Sequence, residues 1–436
     1  MQASVELPTK PVSHLTTLQL TSHQDAVLEF AAEIPCEKMN SQALASQWWE
    51  WPHNMVPLFF SEIFSRNSYL AIVVILPLSE TLDRIERSGI KQLCSVLPLD
   101  DPIWSQQTLP TIADADALFK EHAISLVCRA AKGAIREWGG SMYDISHVIA
   151  VTSTNTANPG FDITLCSTLG LRPTVHRTLL YGLGCAGGLS ALRIAYDLLA
   201  GAALQGLPAR ALVVSCDLPT LFARAELHRI NVDQEVGFGM SRFSDGASAV
   251  VLTNWIGPTV LERGPIWNLL GFRSVIIKES EGYSELSIGP FGFKAIMSTF
   301  IPRLVSSELL SNFTALINSV PGLRSDNTRD LPNSYNWASD FPGRSALKFA
   351  QGALDLKKSN LSHSDTVYRS RGSTISCSVL NILNYMRHHG KGGDYVANGR
   401  NKVIALAIGP GVILEMAVLH KASTADLRYA AHCWEW

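Results

Sequence analysis

The run LLYGLGCAGGLSALRIAYDLLAG, residues 179–201, holds the side chain best placed for covalent chemistry, Cys185. Gly182, Gly184, Gly187 and Gly188 surround it, and glycines allow turns that residues with a Cβ resist. Behind the turn, Leu189, Leu192, Ala195, Tyr196 and Leu199 recur at helical spacing. Cys185 is therefore expected at a helix N-terminus, where unpaired N–H groups and the macrodipole favour a thiolate. A lone cysteine is more often a small core residue. Four flanking glycines and a helix start instead describe a displayed nucleophile, the starting point of covalent catalysis.

The elements that must position Cys185 read as an alternation of helices and apolar strands. DALFKEHAISLVCRAAKGAIREWG predicts an amphipathic helix ending at Gly139 and Gly140, and ISHVIAVTST a buried strand after it. The Cys185 helix is expected to end near Gly201 or Gly206, with ARALVVSCD at 209–217 and ASAVVLTN at 247–254 as further strands. A loop-rich seam at 256–267 precedes a second half in which SALKFAQGALDL and STISCSVLNILNYMRHHG read as helices. NKVIALAIGPGVILEMAVLH then reads as two strands across a GPG turn. The pattern is that of a layered α/β fold with buried sheets, in which two halves aim a helix at a common centre.

Size and composition limit what such a body can do. A chain of 436 residues, 47% apolar and only 17% charged, has ample material for a large core and argues against extended disorder. Lys plus Arg number 36 against 38 Asp plus Glu, so nothing in the charge balance favours nucleic acid or an anionic membrane. Eight cysteines (36, 94, 128, 166, 185, 216, 377, 433) show no CxxC pair, so neither a metal site nor a disulfide framework is expected. The first 20 residues lack a secretory pattern, which predicts a cytoplasmic protein. The run YLAIVVILPL at 69–78 is about half the span of a bilayer and reads as a buried strand or interface segment; no integral membrane segment is expected. The cluster WWEWPH at 48–53 lies in an irregular N-terminal extension, residues 1–84, ahead of halves at 85–256 and 257–436.

GCAGGLSALR around Cys185, STNTANPGFD at 153–162, LGLRPTVHRTLL at 169–180, SRFSDGASAVVL at 241–252 and AIGPGVILEMAVL at 407–419 occur together in one order. In this the chain resembles the chalcone synthase-like type III polyketide synthases, particularly their fungal branch, over residues 85–420. The resemblance implies a thiolase-like αβαβα layered fold with two pseudo-symmetric halves, a homodimer, no permanently bound cofactor, and acyl-CoA or acyl-carrier-protein thioesters as substrates. It implies that Cys185 accepts an acyl group and that a decarboxylated malonyl unit extends it. It also implies a His and an Asn beside the cysteine as hydrogen-bond donors to thioester and enolate oxygens.

Neither donor stands at its matching position. The His segment reads NWASDFPGRSAL, with Asp340 or Phe341 at the expected place, and Ser373 follows Gly372 where Asn is expected. His363 falls in a polar stretch and is expected to be exposed. Loss of one oxyanion donor typically slows a reaction by about 10² to 10³. Asp340 is left as a base for an alcohol, amine or water, and Ser373 as a single donor. By the same resemblance, Phe222 and Phe293 line the acyl cavity, Phe341 is a further substrate-binding candidate, Asn158 reaches across the dimer, Gly409 and Gly411 scaffold the cysteine, and Lys91 meets CoA phosphates. Three readings stay open: a type III polyketide synthase-like acyltransferase, a non-decarboxylating acyltransferase or hydrolase on the same fold, and a non-catalytic partner subunit. A ketoacyl-ACP synthase III-like enzyme is a further relative of the same superfamily.

Overall fold

The computed structural model describes residues 27–33, 37–40 and 87–422, the latter without 99–100, 105, 107, 231–236, 238, 240, 324–331, 342 and 390–399. The WWEWPH cluster, the 69–78 run, Cys36 and Cys433 lie outside the described residues. In chain order the strands are β1 (Val27–Glu33), β2 (Glu37–Asn40), β3 (Gln92–Ser95), β4 (His147–Val151), β5 (His176–Leu180), β6 (Arg210–Asp217) and β7 (Gly246–Thr253). They continue with β8 (Trp267–Ile276), β9 (Ser284–Gly289), β10 (Gly292–Met297), β11 (Asn336–Asp340), β12 (Lys402–Gly409) and β13 (Ile413–Lys421). The helices are α1 (Ile112–Trp138), α2 (Phe161–Leu169), α3 (Gly187–Leu204), α4 (Ala223–His228), α5 (Ile301–Ser319), α6 (Arg344–Ala353), α7 (Ser362–Arg371) and α8 (Ser378–His389).

Nine strands form one sheet in the order β11-β12-β13-β8-β1-β7-β6-β4-β5. Its two ends repeat one logic: β4 lies parallel to β6 and β6 antiparallel to β7, as β11 lies parallel to β12 and β12 antiparallel to β13. Residues 27–33, inside the segment read as an N-terminal extension, form β1 between β7 and β8 in the middle of this sheet. That pairing is non-local and leaves no mark in local periodicity.

Along β6 and β7 every residue is buried, because both faces are covered. Leu189, Leu192 and Leu199 of α3 and Val379, Leu380 and Leu383 of α8 share a core with inward residues such as Ile149, Val213, Val250, Ala405 and Ala417. Alternate residues of the same strands, among them Val148, Leu212 and Val251, face α1 and α2 instead. α5 and α6 cover the C-terminal half through Leu309, Phe313, Leu316 and Ala350. The α1 helix starts where Thr111 and Asp114 cap each other's backbone N–H groups and stops at Gly139 in the left-handed region. The central pair, α3 and α8, thus run through the core from each half, and their N-terminal ends carry the candidate site.

Candidate active site

Cys185 sits in a single 3₁₀ turn, Gly184–Ala186, directly ahead of α3. Two glycines make the turn fit. Gly184 has φ +49°, and a Cβ there would lie 2.4 Å from Cδ of Pro410. A Cβ on Gly188 would lie 2.2 Å from the carbonyl oxygen of Ser376, so the first turn of α3 rests on the backbone that leads into α8. Gly409 packs against Leu183 and Ala186, which puts the β12–β13 turn beneath the cysteine. Gly411, at φ +69°, instead donates its N–H to the carbonyl of Ser284.

The side chains around the thiol come from the C-terminal half. Cys185 Sγ lies 4.0 Å from Ser373 Oγ. Ser373 Oγ donates to Asp340 Oδ2 at 3.2 Å and lies 3.2 Å from Ser378 Oγ. Ser378 Oγ in turn accepts from the Thr374 N–H at 2.7 Å. Asp340 ends β11, opposite Ala407 of β12, and is only 5% exposed. Burial pushes its carboxyl up to about 7, against the pull of hydrogen bonds from Ser378, Cys185 and Ser373. Among the described residues, the groups that act on it are Ser378, Cys185 and Ser373.

The thiol departs from the thiolate expected at a helix N-terminus. Burial raises the Cys185 pKa well above that of a free thiol, and the Asp340 charge raises it further; the Ser373 hydrogen bond opposes this. A helix end contributes at most about 2 kcal/mol, too little to offset a buried carboxylate alongside. The resting pair is therefore a thiol facing a carboxyl group that titrates near neutrality. Behind Asp340 lies a cavity of about 20 Å³, with Ser339, Tyr368, Arg371 and Asn381 in its lining and space for about one water.

The structure sorts the other expected residues. Phe222 and Phe293 stack edge to face with centroids 4.8 Å apart and line a cavity of about 50 Å³ with Leu93, Thr154 and Ile375. Phe341 is not among them: it is buried in the C-terminal core with Phe313 and Trp337. His363 is partly buried on α7, its ring 6.0 Å from that of Tyr385, rather than exposed, because α7 packs that face against α8. It is not among the groups acting on Cys185 or Asp340. Asn158 is exposed and precedes a cis peptide bond to Pro159, and Lys91 is exposed ahead of β3. No group of three or more His, Cys, Asp or Glu able to hold a metal ion occurs among the described residues.

Two contributors were not singled out from the sequence. Ser378 lies five residues beyond Ser373, at the start of α8, and accepts the N–H of Thr374 four residues before it, which ties the approach to the helix back onto its first turn. Asp217, at the end of β6, accepts from the N–H groups of Ser153 at 2.6 Å and Ser376 at 3.0 Å, tying three segments together under the cysteine. Burial raises its carboxyl to about 6.

Two family models match the chain: chalcone and stilbene synthases, N-terminal domain, over residues 89–255, and the C-terminal domain over residues 274–423. The acylalkylpyrone synthase csyB of Aspergillus oryzae is 39% identical over 353 residues, covering 81% of this chain and 88% of that protein. The type III polyketide synthase pspB of Penicillium soppii is 28% identical, covering 78% and 86%. A crystal structure of CsyB complexed with CoA-SH matches with a TM-score of 0.81 at 34% identity, over 93% of this chain and 100% of that one. A type III pentaketide synthase from Neurospora crassa matches with a TM-score of 0.78 at 27% identity, again over 93% and 100%.

Proposed function

The chain belongs to the chalcone and stilbene synthase family of type III polyketide synthases, and on that premise we propose that it loads an acyl group from a CoA thioester onto Cys185 and extends it with malonyl-CoA. The observation that carries this reading is the convergence of the Cys185 thiol, the Asp340 carboxyl and the Ser373 hydroxyl at the start of α3. A scaffold has no need of a partly exposed thiol held by glycine contacts on one side and a titrating carboxyl on the other. In loading, the thiol attacks the thioester carbonyl as Asp340 takes its proton, so no buried thiolate and carboxylate coexist. The CoA-bound CsyB structure supports CoA as the donor, and the Phe222–Phe293 cavity offers an apolar place for the acyl chain.

A second reading, transfer of the acyl group to an alcohol, amine or water, is favoured by the same Asp340, because a carboxylate is a base for such acceptors. A homodimer belongs to the proposal. Its support is the unpaired outer edge of β5 among the described strands, flanked by the exposed side chains of Ile163 and Tyr181. Asn158, exposed near that edge, suits a reach across such an interface. A cytoplasmic location is proposed with it; no helix among the described residues is long and apolar enough to cross a membrane.

Intact-mass measurement with a panel of acyl-CoAs tests the reading, with Cys185→Ala as control. Acyl adducts lost in the control are expected, followed by carbon dioxide release and chain growth on adding malonyl-CoA. Transfer only to a hydroxyl or amine would establish the second reading. No adduct with any donor would refute both.

A further inference from the structure

We propose that Asp340 serves two successive roles in one turnover: as a carboxylate it receives the Cys185 proton during loading, and as the resulting carboxylic acid it donates a hydrogen bond to the enolate oxygen of the extender. The inference rests on the loading reaction proposed above and supplies, from this chain's own residues, a donor beyond Ser373. Its basis is the way hydrogen-bond donors meet at one buried group. Ser373 donates to Oδ2 at 3.2 Å, and Ser378 and Cys185 bear on the same carboxyl as further donors. Ser378 Oγ accepts the Thr374 N–H at 2.7 Å and lies 3.2 Å from Ser373 Oγ and 3.4 Å from Thr374 Oγ1, and its hydroxyl acts on the Asp340 carboxyl.

Of these three donors, the thiol is consumed by the reaction. Once Cys185 carries an acyl group it has no S–H, and Asp340 keeps its burial while losing one of the groups that favour the charged form. Acylation itself thus stabilises the acid. The surroundings do not reverse this. Asp217 at the end of β6 adds negative charge that acts on Cys185. Tyr368 and Arg371 of α7 line the cavity behind Asp340, with Cys94 and Tyr385 acting on Arg371, and Arg242 lies against Gly343.

The protons and electrons balance. In loading, the sulfur–acyl bond forms as the bond to CoA breaks, the thiol proton passes to Asp340, and the CoA thiolate leaves with its electron pair and takes a proton from water. In extension, the malonyl carboxylate departs as carbon dioxide and its bonding pair becomes the enolate, held by the Asp340 O–H. The enolate carbon attacks the acyl carbon, the bond to Cys185 breaks, and the departing thiolate recovers the proton from Asp340. The thiol and carboxylate of the starting state are restored.

Two rates separate the roles. Single-turnover acylation, read by mass, should rise with pH through about 7, where the carboxylate forms. Carbon dioxide release from malonyl-CoA by Cys185→Ala, which lacks the thiol donor as the acyl-enzyme does, should instead fall with pH, with a midpoint above that of loading. Asp340→Asn keeps a donor but cannot take a proton. It should slow acylation by about 10² or more, while in the Cys185→Ala background it lowers carbon dioxide release less than about tenfold and Asp340→Ala lowers it by about 10². Parallel rising profiles, or equal loss of carbon dioxide release in the two Asp340 variants, would overturn the inference. Absence of any acyl adduct on the parent enzyme would instead overturn the loading reaction on which it rests.

Discussion

Asp340→Asn should make the folded protein more stable, by a margin that grows with pH. Burial lifts this carboxyl from the usual 3.8 to about 7. Between those values the folded state holds a proton that the unfolded chain has released. Stability therefore falls as pH rises from about 4 to about 7, at ~1.4 kcal/mol per pH unit, and is flat above that range. The full displacement is worth ~4 kcal/mol against the folded state at about pH 8. Asparagine has nearly the same shape and no charge, so it removes this dependence. Turning the Ser373 and Ser378 hydroxyls to suit an amide adds a cost that does not vary with pH. The informative quantity is therefore the change in the margin, ~2–3 kcal/mol in favour of the variant between about pH 5 and about pH 8. Asp217 and Asp245, raised to about 6 and about 7 by burial, contribute alike to both proteins and cancel. Urea denaturation followed by tryptophan fluorescence, with parent and variant side by side at each pH, measures the margin. A margin constant within ~0.5 kcal/mol, or one that shrinks as pH rises, would refute the assignment of Asp340 as a carboxyl raised by burial.

Gly188→Ala places a methyl group 2.2 Å from the Ser376 carbonyl, so α3 must part from the segment before α8; a stability loss of ~1–3 kcal/mol and loss of Cys185 acylation are expected in melting and mass assays. Glu262→Gln strips the charge that pairs with the buried Arg210 at 2.9 Å and accepts from Trp138 at 3.2 Å, and should cost ~3–5 kcal/mol in denaturation. Phe222→Ala removes the ring packed edge to face on Phe293, at a cost of ~3–5 kcal/mol. In competition among acyl-CoAs it should shift the adduct mass toward longer chains, and an unchanged distribution would place the acyl chain elsewhere.

What was legible in the sequence follows from the range over which each feature is encoded. The Cys185 turn was readable because the glycines that Pro410 and the Ser376 carbonyl demand stand next to it in the chain. The strands β6, β7, β12 and β13 were readable because burial on both faces leaves unbroken apolar runs. The start of α8 was not. The run from Ser373 reads as helix throughout, yet Ile375 takes φ +53° and the Ser378 hydroxyl caps the Thr374 N–H, so five residues form a turn that presents Ser373 to Asp340. Nor did spacing decide between Asp340 and Phe341. The parallel register of β11 on β12 does: it brings Asp340, the last strand residue, to Ser373 and Cys185, while Phe341, just past the strand, packs into the core. The protonation state lay furthest out of reach. A helix start beside a cysteine argues locally for a thiolate, whereas the carboxyl that reverses this lies 155 positions along the chain and acts only because folding buries both groups together. The feature that sets the titration of Cys185 is thus a pairwise distance between the two halves, and the same burial that makes Asp340 destabilising near neutral pH underlies the proton exchange with the thiol proposed above.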